Sequence, residues 1–561
     1  MRTHKSTPGK YRMTAMRKVV ISSLLAFLLS VPVKAQHKLD TNHSQTPLMG
    51  WASWNQFGPH ISESLIKRQA DAMVSSGLSA AGYQYINIDD GFFDGRYPDG
   101  KLRIDSVKFP DGMKAVADYI HSKGLKAGFY TEAGKNTCGS IYSHQPGGVG
   151  GGLYGHDQQD IDLIFKTWGF DFLKVDYCGG LKQKLDEKTR YTAIRKAIDN
   201  TGRTNINFNV CRWQFPGTWV TRIASSWRMS HDINYVPGSK PKWKSIISII
   251  NLSKYLAPYA GPGHYNDMDM LEVGRGMTAN EDRSHFSMWC ILSSPLVLGL
   301  DMTKMSDETK AIITNPEVIA VNQDTTGLQA HLLYEQDSLQ VWAKHLNGRQ
   351  SKEFAVALLN QSITPATISV KWKDLNIVGS AKVRDLWARA DLGSRDSVYS
   401  ATVPGHGISF IKVTAHKTRL KDVFEAEYAW LNDFNLTQNG ETVPGLAKPA
   451  GDSICSGKAK VIQIGNRPDN YIEFQHIYAR KARQYNLSLY YLSGEDRNAT
   501  LSVNGTDIPL SCLNSGGWDK IARETLPVKL HKGYNIIRIS NATDWAPDID
   551  RIEIDLNKNH R

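Results

Sequence analysis

The sequence has few cysteines, and none lies in the close pairs that bind zinc or carry out dithiol chemistry. The six cysteines among the 561 residues are Cys138, Cys178, Cys211, Cys290, Cys455 and Cys512. This spacing excludes a C-x-x-C zinc or redox site. We expect Cys138 to pair with Cys178, since each follows one of two neighbouring predicted strands, and Cys455 to pair with Cys512. Cys211 and Cys290 lie in apolar segments and are expected to be buried thiols.

Long apolar runs are missing after residue 40, which excludes a transmembrane helix from that part of the chain. The one marked run, at residues 19–29, follows Arg17-Lys18 and precedes Val33-Lys34-Ala35. A basic start, a short apolar stretch and a final small residue are typical of a signal peptide. The sequence therefore predicts a leader over residues 1–35 and a mature chain that is secreted or periplasmic. No cysteine precedes Cys138, which excludes a lipid-modified N-terminal cysteine.

Clusters of basic residues are also missing, although the net charge is +12. Charges of both signs alternate along the chain, as on a solvated surface, whereas nucleic-acid-binding proteins concentrate lysine and arginine on one face. We therefore predict no nucleic-acid partner. The first predicted strand is not followed by G-x-G-x-x-G, so the sequence gives no indication of a dinucleotide site.

An alternation of two patterns fills residues 46–325. Short apolar runs that end in a polar or acidic residue alternate with amphipathic stretches, among them 63–76, 112–122, 157–168 and 282–292. Eight such units predict an α/β TIM barrel, because an open parallel sheet usually has fewer strands. The predicted strands are 48–54, 83–89, 125–130, 170–176, 205–211, 226–232, 264–270 and 294–300.

The pattern changes after Asn322 to short alternating segments separated by turns, which predict antiparallel strands. We predict a signal peptide over 1–35, a (β/α)8 barrel over 36–325 and an antiparallel β-sandwich domain over 326–415. A charged linker over 416–422 and a C-terminal β-sandwich over 423–561 complete the predicted organisation.

Acidic, basic and aromatic residues end the predicted barrel strands, where a TIM barrel gathers its functional groups. Carboxylates accept hydrogen bonds from sugar hydroxyls, lysine and arginine donate them, and an aromatic face covers the apolar side of a sugar ring. The set therefore predicts a site for a neutral polyhydroxylated ligand. An oxygen cage for magnesium or calcium is the alternative, and Lys174 and Arg228 on the same face make it less favourable. The strand-end residues are Trp54, Asp89, Asp90, Tyr130, Lys174, Asp176, Cys211, Arg212, Arg228, Asp232, Asp267 and Asp269.

Two of these carboxylates are candidates for catalysis. The run Phe172-Leu173-Lys174-Val175-Asp176 predicts a buried strand that delivers Asp176 to its carboxyl end. Glycoside hydrolysis requires two carboxyl groups, one to attack the anomeric carbon or activate water and one to protonate the leaving oxygen. We predict Asp176 as the nucleophile and Asp232 as its partner. A capping or turn role is the alternative for each, and sequence spacing leaves retention or inversion open.

Five motifs in chain order resemble glycoside hydrolase family 27, which contains α-galactosidases and α-N-acetylgalactosaminidases, over residues 46–415. They are Thr46-Pro47-Leu48-Met49-Gly50-Trp51 with Ser53-Trp54-Asn55, Tyr85-Ile86-Asn87-Ile88-Asp89-Asp90-Gly91, Phe109-Pro110-Asp111-Gly112-Met113-Lys114, Leu173-Lys174-Val175-Asp176-Tyr177-Cys178 and Asn266-Asp267-Met268-Asp269-Met270-Leu271. The resemblance implies a retaining double displacement with Asp176 as nucleophile, Asp232 as acid and then base, and no catalytic cofactor. A bridge between Cys138 and Cys178 also matches the family pattern.

The same resemblance implies a galactose pocket. Asp89, Asp90 and Lys174 would hold the sugar hydroxyls, including the axial one at carbon 4. The other implied pocket residues are Trp54, Tyr130, Cys211, Arg212, Arg228, Asp269 and Met270. Two positions depart from the pattern: Arg212 replaces a glutamate in the loop that reads carbon 2, and Phe92 replaces a tryptophan.

The predicted function is that of an exo-acting retaining α-galactosidase that removes terminal α-linked galactose from oligo- or polysaccharides. The alternatives are an α-N-acetylgalactosaminidase or a β-L-arabinopyranosidase of the same family, or a sugar-binding protein without turnover. The intact Asp89-Asp90 pair favours galactose over the pentose.

The C-terminal segment resembles carbohydrate-binding modules of families 6 and 35. Glu425-Ala426-Glu427 opens it and Pro547-Asp548-Ile549-Asp550-Arg551-Ile552 closes it. The resemblance implies a structural calcium held by Glu425, Glu427 and Asp550, and hard oxygen ligands suit that ion. Trp518, Asn541 and Trp545 are predicted to form a sugar-facing loop, with burial in the core as the alternative for either tryptophan.

Overall fold

The computed structural model describes residues 45–437 and 440–558. The predicted signal peptide, residues 1–35, lies outside the described residues. Among the described helices, none has both the length and the apolar character needed to cross a bilayer.

Eight parallel strands of the first domain form a closed barrel. They pair in the order β10-β1-β2-β5-β6-β7-β8-β9, and β3 and β4 form a separate hairpin. The ring closes where Leu271 N donates to Val297 O at 2.7 Å and Gly299 N donates to Leu271 O at 2.9 Å. The predicted TIM barrel is therefore confirmed. The strands are β1 (Met49–Ala52), β2 (Tyr85–Ile88), β3 (Phe93–Arg96), β4 (Leu102–Ile104), β5 (Lys126–Glu132), β6 (Phe172–Asp176), β7 (Asn207–Val210), β8 (Ser226–Arg228), β9 (Tyr265–Asp267) and β10 (Leu296–Leu298).

Eleven α-helices are described, most of them in the barrel connections. Their starts follow local capping chemistry: the Ser62 hydroxyl accepts from Leu65 N before α2, and Thr278 and Glu281 form a capping box before α9. The helices are α1 (Trp54–Phe57), α2 (Glu63–Ser75), α3 (Gly112–Ser122), α4 (Cys138–Tyr142), α5 (Asp157–Asp162), α6 (Cys178–Lys182), α7 (Glu187–Asp199), α8 (Trp243–Leu252), α9 (Ala279–Ile291), α10 (Asp307–Ile313) and α11 (Pro316–Asn322). A π-helical turn, Leu163–Thr167, continues α5.

The second domain is antiparallel and packs directly against the barrel. A six-stranded sheet, ordered β11-β12-β13-β18-β15-β16, faces the pair β14-β17. Strand β13 is buried on both faces: Phe354 and Val356 belong to the core of this domain, whereas Ala355 and Ala357 belong to the core that continues from the barrel. The strands are β11 (His331–Gln336), β12 (Leu339–Leu346), β13 (Glu353–Asn360), β14 (Ala366–Lys371), β15 (Ile377–Asp385), β16 (Ala390–Arg395), β17 (Val398–Val403) and β18 (Ile408–Thr418).

The third domain consists of two antiparallel sheets. One has the order β21-β22-β29-β24-β27 with β19 paired to β29, and the other has the order β20-β23-β28-β25-β26. The strands are β19 (Val423–Glu425), β20 (Trp430–Leu431), β21 (Lys448–Gly451), β22 (Ala459–Ile462), β23 (Ile472–Ala479), β24 (Arg483–Ser493), β25 (Arg497–Val503), β26 (Thr506–Leu513), β27 (Gly517–Leu530), β28 (Gly533–Ser540) and β29 (Asp548–Ile554).

The charged segment before this domain is anchored to the end of the chain. Strand β18 continues to Thr418, the buried Leu420 donates its amide to Asn557 Oδ1 at 3.0 Å, and Asp422 O accepts from Ile554 N at 2.9 Å. The connection between the second and third domains is therefore held in place by hydrogen bonds to residues 554–557.

Of the two predicted disulfides, one is confirmed and one is wrong. Cys138 and Cys178 are bonded, with their Cα atoms 5.2 Å apart. Cys455 and Cys512 are free thiols: Cys455 precedes β22 in one sheet of the third domain, and Cys512 lies on β26, the edge of the other sheet. A disulfide requires neighbouring Cα atoms, which placement in opposite sheets does not provide. Cys211 and Cys290 are buried free thiols, as predicted.

Candidate active site

Lys174 occupies the centre of one half of the barrel mouth. Its Nζ lies 2.9 Å from Asp89 Oδ2, 3.9 Å from Asp176 Oδ1 and 5.4 Å from the centre of the Tyr130 ring. Strands β2, β5 and β6 are adjacent in the barrel, and Tyr130 is directly beside Lys174 in the pairing of β5 with β6. The cation therefore links two carboxylates from different strands.

Arg228 occupies the other half. Its Nη2 lies 2.9 Å from Asp232 Oδ1 and 3.0 Å from Asp269 Oδ2. Strand β8 ends at Arg228, so Asp232 lies in the following loop instead of ending a strand as predicted. The Asp232 side chain is 35% exposed, whereas that of Arg228 is 5% exposed. One Asp232 oxygen is thus fixed by the guanidinium while the carboxyl group stays open to a ligand.

Cys211 connects the two halves. Its Sγ lies 3.9 Å from Arg228 Nη1, and its amide donates to the carbonyl of Val175, the residue before Asp176, at 2.9 Å. Asp176 and Asp232 are therefore at the same end of the barrel, joined through Cys211 and Arg228. Within the described residues, Asp176 Oδ1 accepts no hydrogen bond.

Burial dominates the acidity of the carboxyl groups in this site. It raises the pKa of Asp176 to about 6, although the Lys174 cation acts in the opposite direction. Burial likewise raises the pKa of Asp269 to about 6, against the Arg228 guanidinium, and that of Asp90 to about 6, against main-chain hydrogen bonds. The two cations therefore favour the ionised forms of Asp176 and Asp269, and main-chain donors favour that of Asp90.

Main-chain donors fix Asp90. Its Oδ2 accepts from Gly139 N at 2.7 Å and its Oδ1 accepts from Gly91 N at 2.8 Å. A Cβ at Gly139 would lie 2.7 Å from the Asp90 carboxylate, so a glycine is needed for this approach. Gly139 follows the disulfide residue Cys138, and the bridge thus helps to hold the partner of Asp90.

A pocket lies among the strand ends. Of the predicted residues, Asp89, Tyr130, Lys174, Arg228, Asp267, Asp269 and Met270 line it. Asp176 and Asp232 do not line it themselves, but contact its residues Lys174 and Arg228. Asn87 also lines it and was missed, because an asparagine in the middle of an apolar strand gives no distinct signal. Trp54, also predicted, begins α1 just after β1 and is partly exposed.

Glu132 is a second residue that sequence reasoning missed. It ends β5 beside Asp176, and its carboxylate accepts from the amides of Gly134, Cys178 and Gly180 at 2.9 to 3.2 Å. Burial raises its pKa to about 8. Because Glu132 ends a barrel strand, the rule that predicted the other site residues could have identified it. The Cys138 and Cys178 sulfurs lie close to this carboxylate but are bonded to each other.

The two positions that depart from the family pattern both have partners within the protein. Arg212 forms an ion pair with Glu187 on α7, and its guanidinium lies 5.5 Å from the Tyr177 ring centre. Phe92 is fully buried in a cluster of aromatic rings that includes Phe93 and Phe129. The ion pair with Glu187 makes the Arg212 guanidinium less available to a ligand than its predicted place in the sugar pocket implied.

The predicted calcium ligands gather in the third domain. The Ser456 hydroxyl donates to Glu425 at 2.6 Å and lies 3.2 Å from Asp550 Oδ1, and both oxygens of the buried Glu427 are without a hydrogen bond from any described residue. Burial raises the pKa of Glu427 to about 9. A buried carboxylate without donors, next to two further carboxylates, fits the ligand preference of calcium.

The predicted sugar-facing residues also lie near one another. Trp518 is 42% exposed, so it is not a core residue, and the Arg497 guanidinium stacks 4.5 Å from its ring centre. Arg497 donates to the carbonyl of Ala546, next to Trp545, and Asn541 donates to the carbonyl of Asn498. The three predicted residues thus share one end of the sandwich.

Comparisons with known proteins agree with this site. A family model described as "Alpha galactosidase A" matches residues 46–324, and one described as "Alpha galactosidase C-terminal beta sandwich domain" matches residues 336–413. Alpha-galactosidase A of Cellvibrio japonicus (strain Ueda107) is 38% identical over 422 residues, which are 71% of this chain and 100% of the relative.

Solved structures show the same relationship. Alpha-galactosidase I of Mortierella vinacea superposes with a TM-score of 0.59 at 34% identity, covering 67% of this chain and 98% of its own. The Saccharomyces cerevisiae α-galactosidase with raffinose gives 0.59 at 27% identity, covering 66% and 98%. The third domain lies outside both matched family models. From its barrel through its second domain, the chain belongs to glycoside hydrolase family 27, the α-galactosidase family, and is a glycoside hydrolase.

Proposed function

We propose that the chain is an exo-acting retaining α-galactosidase in which Asp176 is the nucleophile and Asp232 the acid and base. The observation that carries the proposal is a set of contacts at one end of the barrel: Lys174 lies 3.9 Å from Asp176 Oδ1, and Arg228 contacts both Cys211 and Asp232. Each of the two carboxyl groups contacts a cation that lines the pocket, Lys174 for Asp176 and Arg228 for Asp232, and their different environments suit the two steps of this reaction.

The proposed reaction has two steps. Asp176 attacks the anomeric carbon with its carboxylate while Asp232 gives a proton to the departing glycosidic oxygen, so the C–O bond breaks and a galactosyl ester forms. Asp232, now a carboxylate, then takes a proton from water as the water oxygen attacks the same carbon. Asp176 leaves, and galactose is released with its configuration retained.

Galactose is the substrate that the Lys174 side of the pocket supports best. Asp89 and the Lys174 ammonium present an acceptor and a donor 2.9 Å apart, a spacing that suits a sugar hydroxyl bridging both groups. The Asp90 carboxylate, held by main-chain amides, completes this side. The proposed natural substrates are oligo- or polysaccharides with terminal α-linked galactose, and catalysis uses no cofactor.

Side-by-side assays of three nitrophenyl glycosides test the specificity. We expect the α-galactoside to be turned over at least tenfold faster, in kcat/KM, than the α-N-acetylgalactosaminide and the β-L-arabinopyranoside. A preference for either of the others would assign the chain to that activity. Absence of turnover on all three, with retained sugar binding, would identify a binding protein.

For the third domain, we propose a carbohydrate-binding module with calcium held by Glu425, Glu427 and Asp550 and sugar bound beside Trp518. The donor-free Glu427 and the exposed ring of Trp518 support this assignment. Bound calcium would supply fixed positive charge that satisfies these buried carboxylates. Trp518→Ala should abolish retardation of the protein on gels that contain a galactose-bearing polysaccharide, whereas Tyr534→Ala, on another exposed ring of the domain, should not. Equal retardation of both variants would exclude sugar binding by Trp518.

We also propose that residues 1–35 are removed on export to the periplasm or the outside of the cell. N-terminal sequencing of the exported protein should begin at Gln36, and an intact N-terminus would contradict the proposal.

A further inference from the structure

One side of the barrel has no α-helix of its own. Every other connection between consecutive barrel strands contains at least one α-helix, but the described residues between β7 and β8 contain only the short 3-10 helix Thr218–Arg222. A barrel strand without a covering helix leaves apolar side chains that another element must cover. Phe215 and Trp227, which lie on this side, are nonetheless fully buried.

The third domain provides the missing cover. The Phe434 ring lies 5.9 Å from that of Phe215 and stacks on Tyr259 at 5.7 Å with an angle of 8° between the planes. Trp430 also contacts Tyr259, with the two ring centres 4.9 Å apart. Phe215, Tyr259 and Phe434 are each at most 2% exposed. Burial of three rings indicates a permanent interface, unlike that of a module on a flexible tether.

Hydrogen bonds fix the register of this interface. Leu436 donates its amide to the carbonyl of Phe215 at 3.1 Å. The Tyr259 hydroxyl lies 3.2 Å from both the carbonyl and the amide nitrogen of Leu431. The segment 430–436 is therefore bonded to the barrel at both ends.

The loop that this segment holds begins beside the candidate catalytic residues. Its first residue, Cys211, donates its amide to the carbonyl of Val175, next to Asp176, and its Sγ lies 3.9 Å from Arg228 Nη1. The loop continues to Trp213, whose φ of 61° is in the left-handed region. A residue other than glycine keeps this left-handed backbone conformation only where the surrounding structure holds it in place. Further along the loop, the Phe215 ring packs between the barrel residues Tyr259 and Trp227 and Phe434 of the third domain, and its carbonyl accepts from Leu436 of that domain.

We infer that the third domain is a positioning element of the catalytic site, acting through Phe434 and Leu436 on the loop 211–217. This role is separate from any sugar binding at Trp518. The inference depends on the proposed function only because one of its tests measures the KM for an α-galactoside.

Hydrogen exchange and kinetics of Phe434→Ala in the full chain test the inference. We expect amide exchange over 212–217 to become at least tenfold faster, exchange in α9 to stay unchanged, and KM for the nitrophenyl α-galactoside to rise at least fivefold. Tyr534→Ala removes an exposed ring from the same domain and should change none of these. If Phe434→Ala does not fold, Phe434→Leu should give the same pattern with a smaller increase.

Unchanged exchange over 212–217 would overturn the inference, whatever the activity. Equal acceleration of 212–217 and α9 would also overturn it, because it would indicate a general loss of stability. Failure of the proposed function itself would show as absence of turnover in the unmutated enzyme, and the exchange measurement would still decide this inference.

Discussion

Lys174 influences both the binding and the acidity of the site because it lies between Asp89 and Asp176. A protonated Asp176 cannot act as a nucleophile, so kcat/KM should fall as the pH drops below about 6, the pKa that burial gives this group. The Lys174 cation lowers that pKa and thereby extends activity toward acid.

Replacing Lys174 should move the acid limb of the pH profile. In Lys174→Met we expect the apparent pKa of the limb in kcat/KM to rise by about one unit, since the ionised carboxylate loses its neighbouring cation. Lys174→Arg keeps the charge and should keep the limb near its original position, even if the rate falls. An acid limb that does not move in Lys174→Met would mean that Asp176 does not control it.

Removing the nucleophile should separate binding from chemistry. Asp176→Ala should lose at least a thousandfold in kcat while retaining the fold, because no covalent intermediate can form. Added azide should restore turnover and yield the glycosyl azide of inverted configuration, since azide attacks from the face that Asp176 left. Full activity of the variant without azide would refute the assignment.

At the residue scale, strand-end chemistry predicted every charged residue that lines the pocket, but not its apolar residues or Asn87. The prediction succeeded because the carboxyl ends of the strands of a TIM barrel meet at one face, so that polar residues there lie around one pocket. The sequence could not show that Arg212 would pair with Glu187, because that contact joins a loop to a helix. The incorrect pairing of Cys455 with Cys512 has the same origin: only the fold places them in different sheets.

At the scale of elements, the disulfide joins two short helices that follow β5 and β6. Cys138 begins α4, and Cys178, two residues after Asp176, begins α6. The bridge spans a sequence separation of 40 residues. In the chain-entropy model, closing a loop of this length stabilises the fold by roughly 4 kcal/mol.

Loss of the bridge should therefore be measurable. The double variant Cys138→Ser and Cys178→Ser should unfold at a lower temperature by several degrees and lose activity, because Gly139 and Asp90 lose a constraint. Cys512→Ser, which changes an exposed free thiol, is the matched control and should leave the apparent Tm unchanged. Equal Tm values for the double variant and the control would show that the bridge is not stabilising.

The barrel strands were predictable as elements but not to their ends. Each of the eight predicted runs overlaps an observed strand, and seven contain it completely. Strand β5 continues two residues beyond its run to Glu132, whereas β8 stops at Arg228 and β9 at Asp267, before Asp232 and Asp269. Apolar periodicity reports which side chains are buried, whereas the end of a strand depends on where the neighbouring strand stops pairing. The hairpin of β3 and β4 was missed, because its strands are short and largely polar.

For the whole molecule, the third domain shares a hydrophobic core with the barrel. Leu431, Phe434 and Leu436 belong to the same buried cluster as Phe215 and Tyr259. The sequence indicated three domains but not this interface. The residues that form it are far apart in the chain, and an apolar residue by itself does not show which other residue it contacts. Ligand binding in the third domain should therefore change the stability of the whole chain.

Calcium binding at the proposed site in the third domain should have this effect. Adding calcium to protein freed of metal by a chelator should raise the apparent Tm increasingly with concentration. The corresponding gain in the free energy of unfolding is about 2.7 kcal/mol at one hundred times the Kd. Glu427→Gln should abolish this response, whereas Glu441→Gln, at an exposed position of the same domain, should retain it. A calcium response that persists in Glu427→Gln would place the ion elsewhere.

The central claim is that Asp176 forms a covalent galactosyl ester during turnover, and trapping that ester tests it most directly. The enzyme would be treated with 2-deoxy-2-fluoro-α-galactosyl fluoride or its 5-fluoro counterpart, digested, and mapped by tandem mass spectrometry. We predict a single fluorogalactosyl adduct on Asp176, formed with loss of activity and blocked by excess galactose. An adduct on another carboxylate, or steady turnover of nitrophenyl α-galactoside with inversion at the anomeric carbon, would contradict the account.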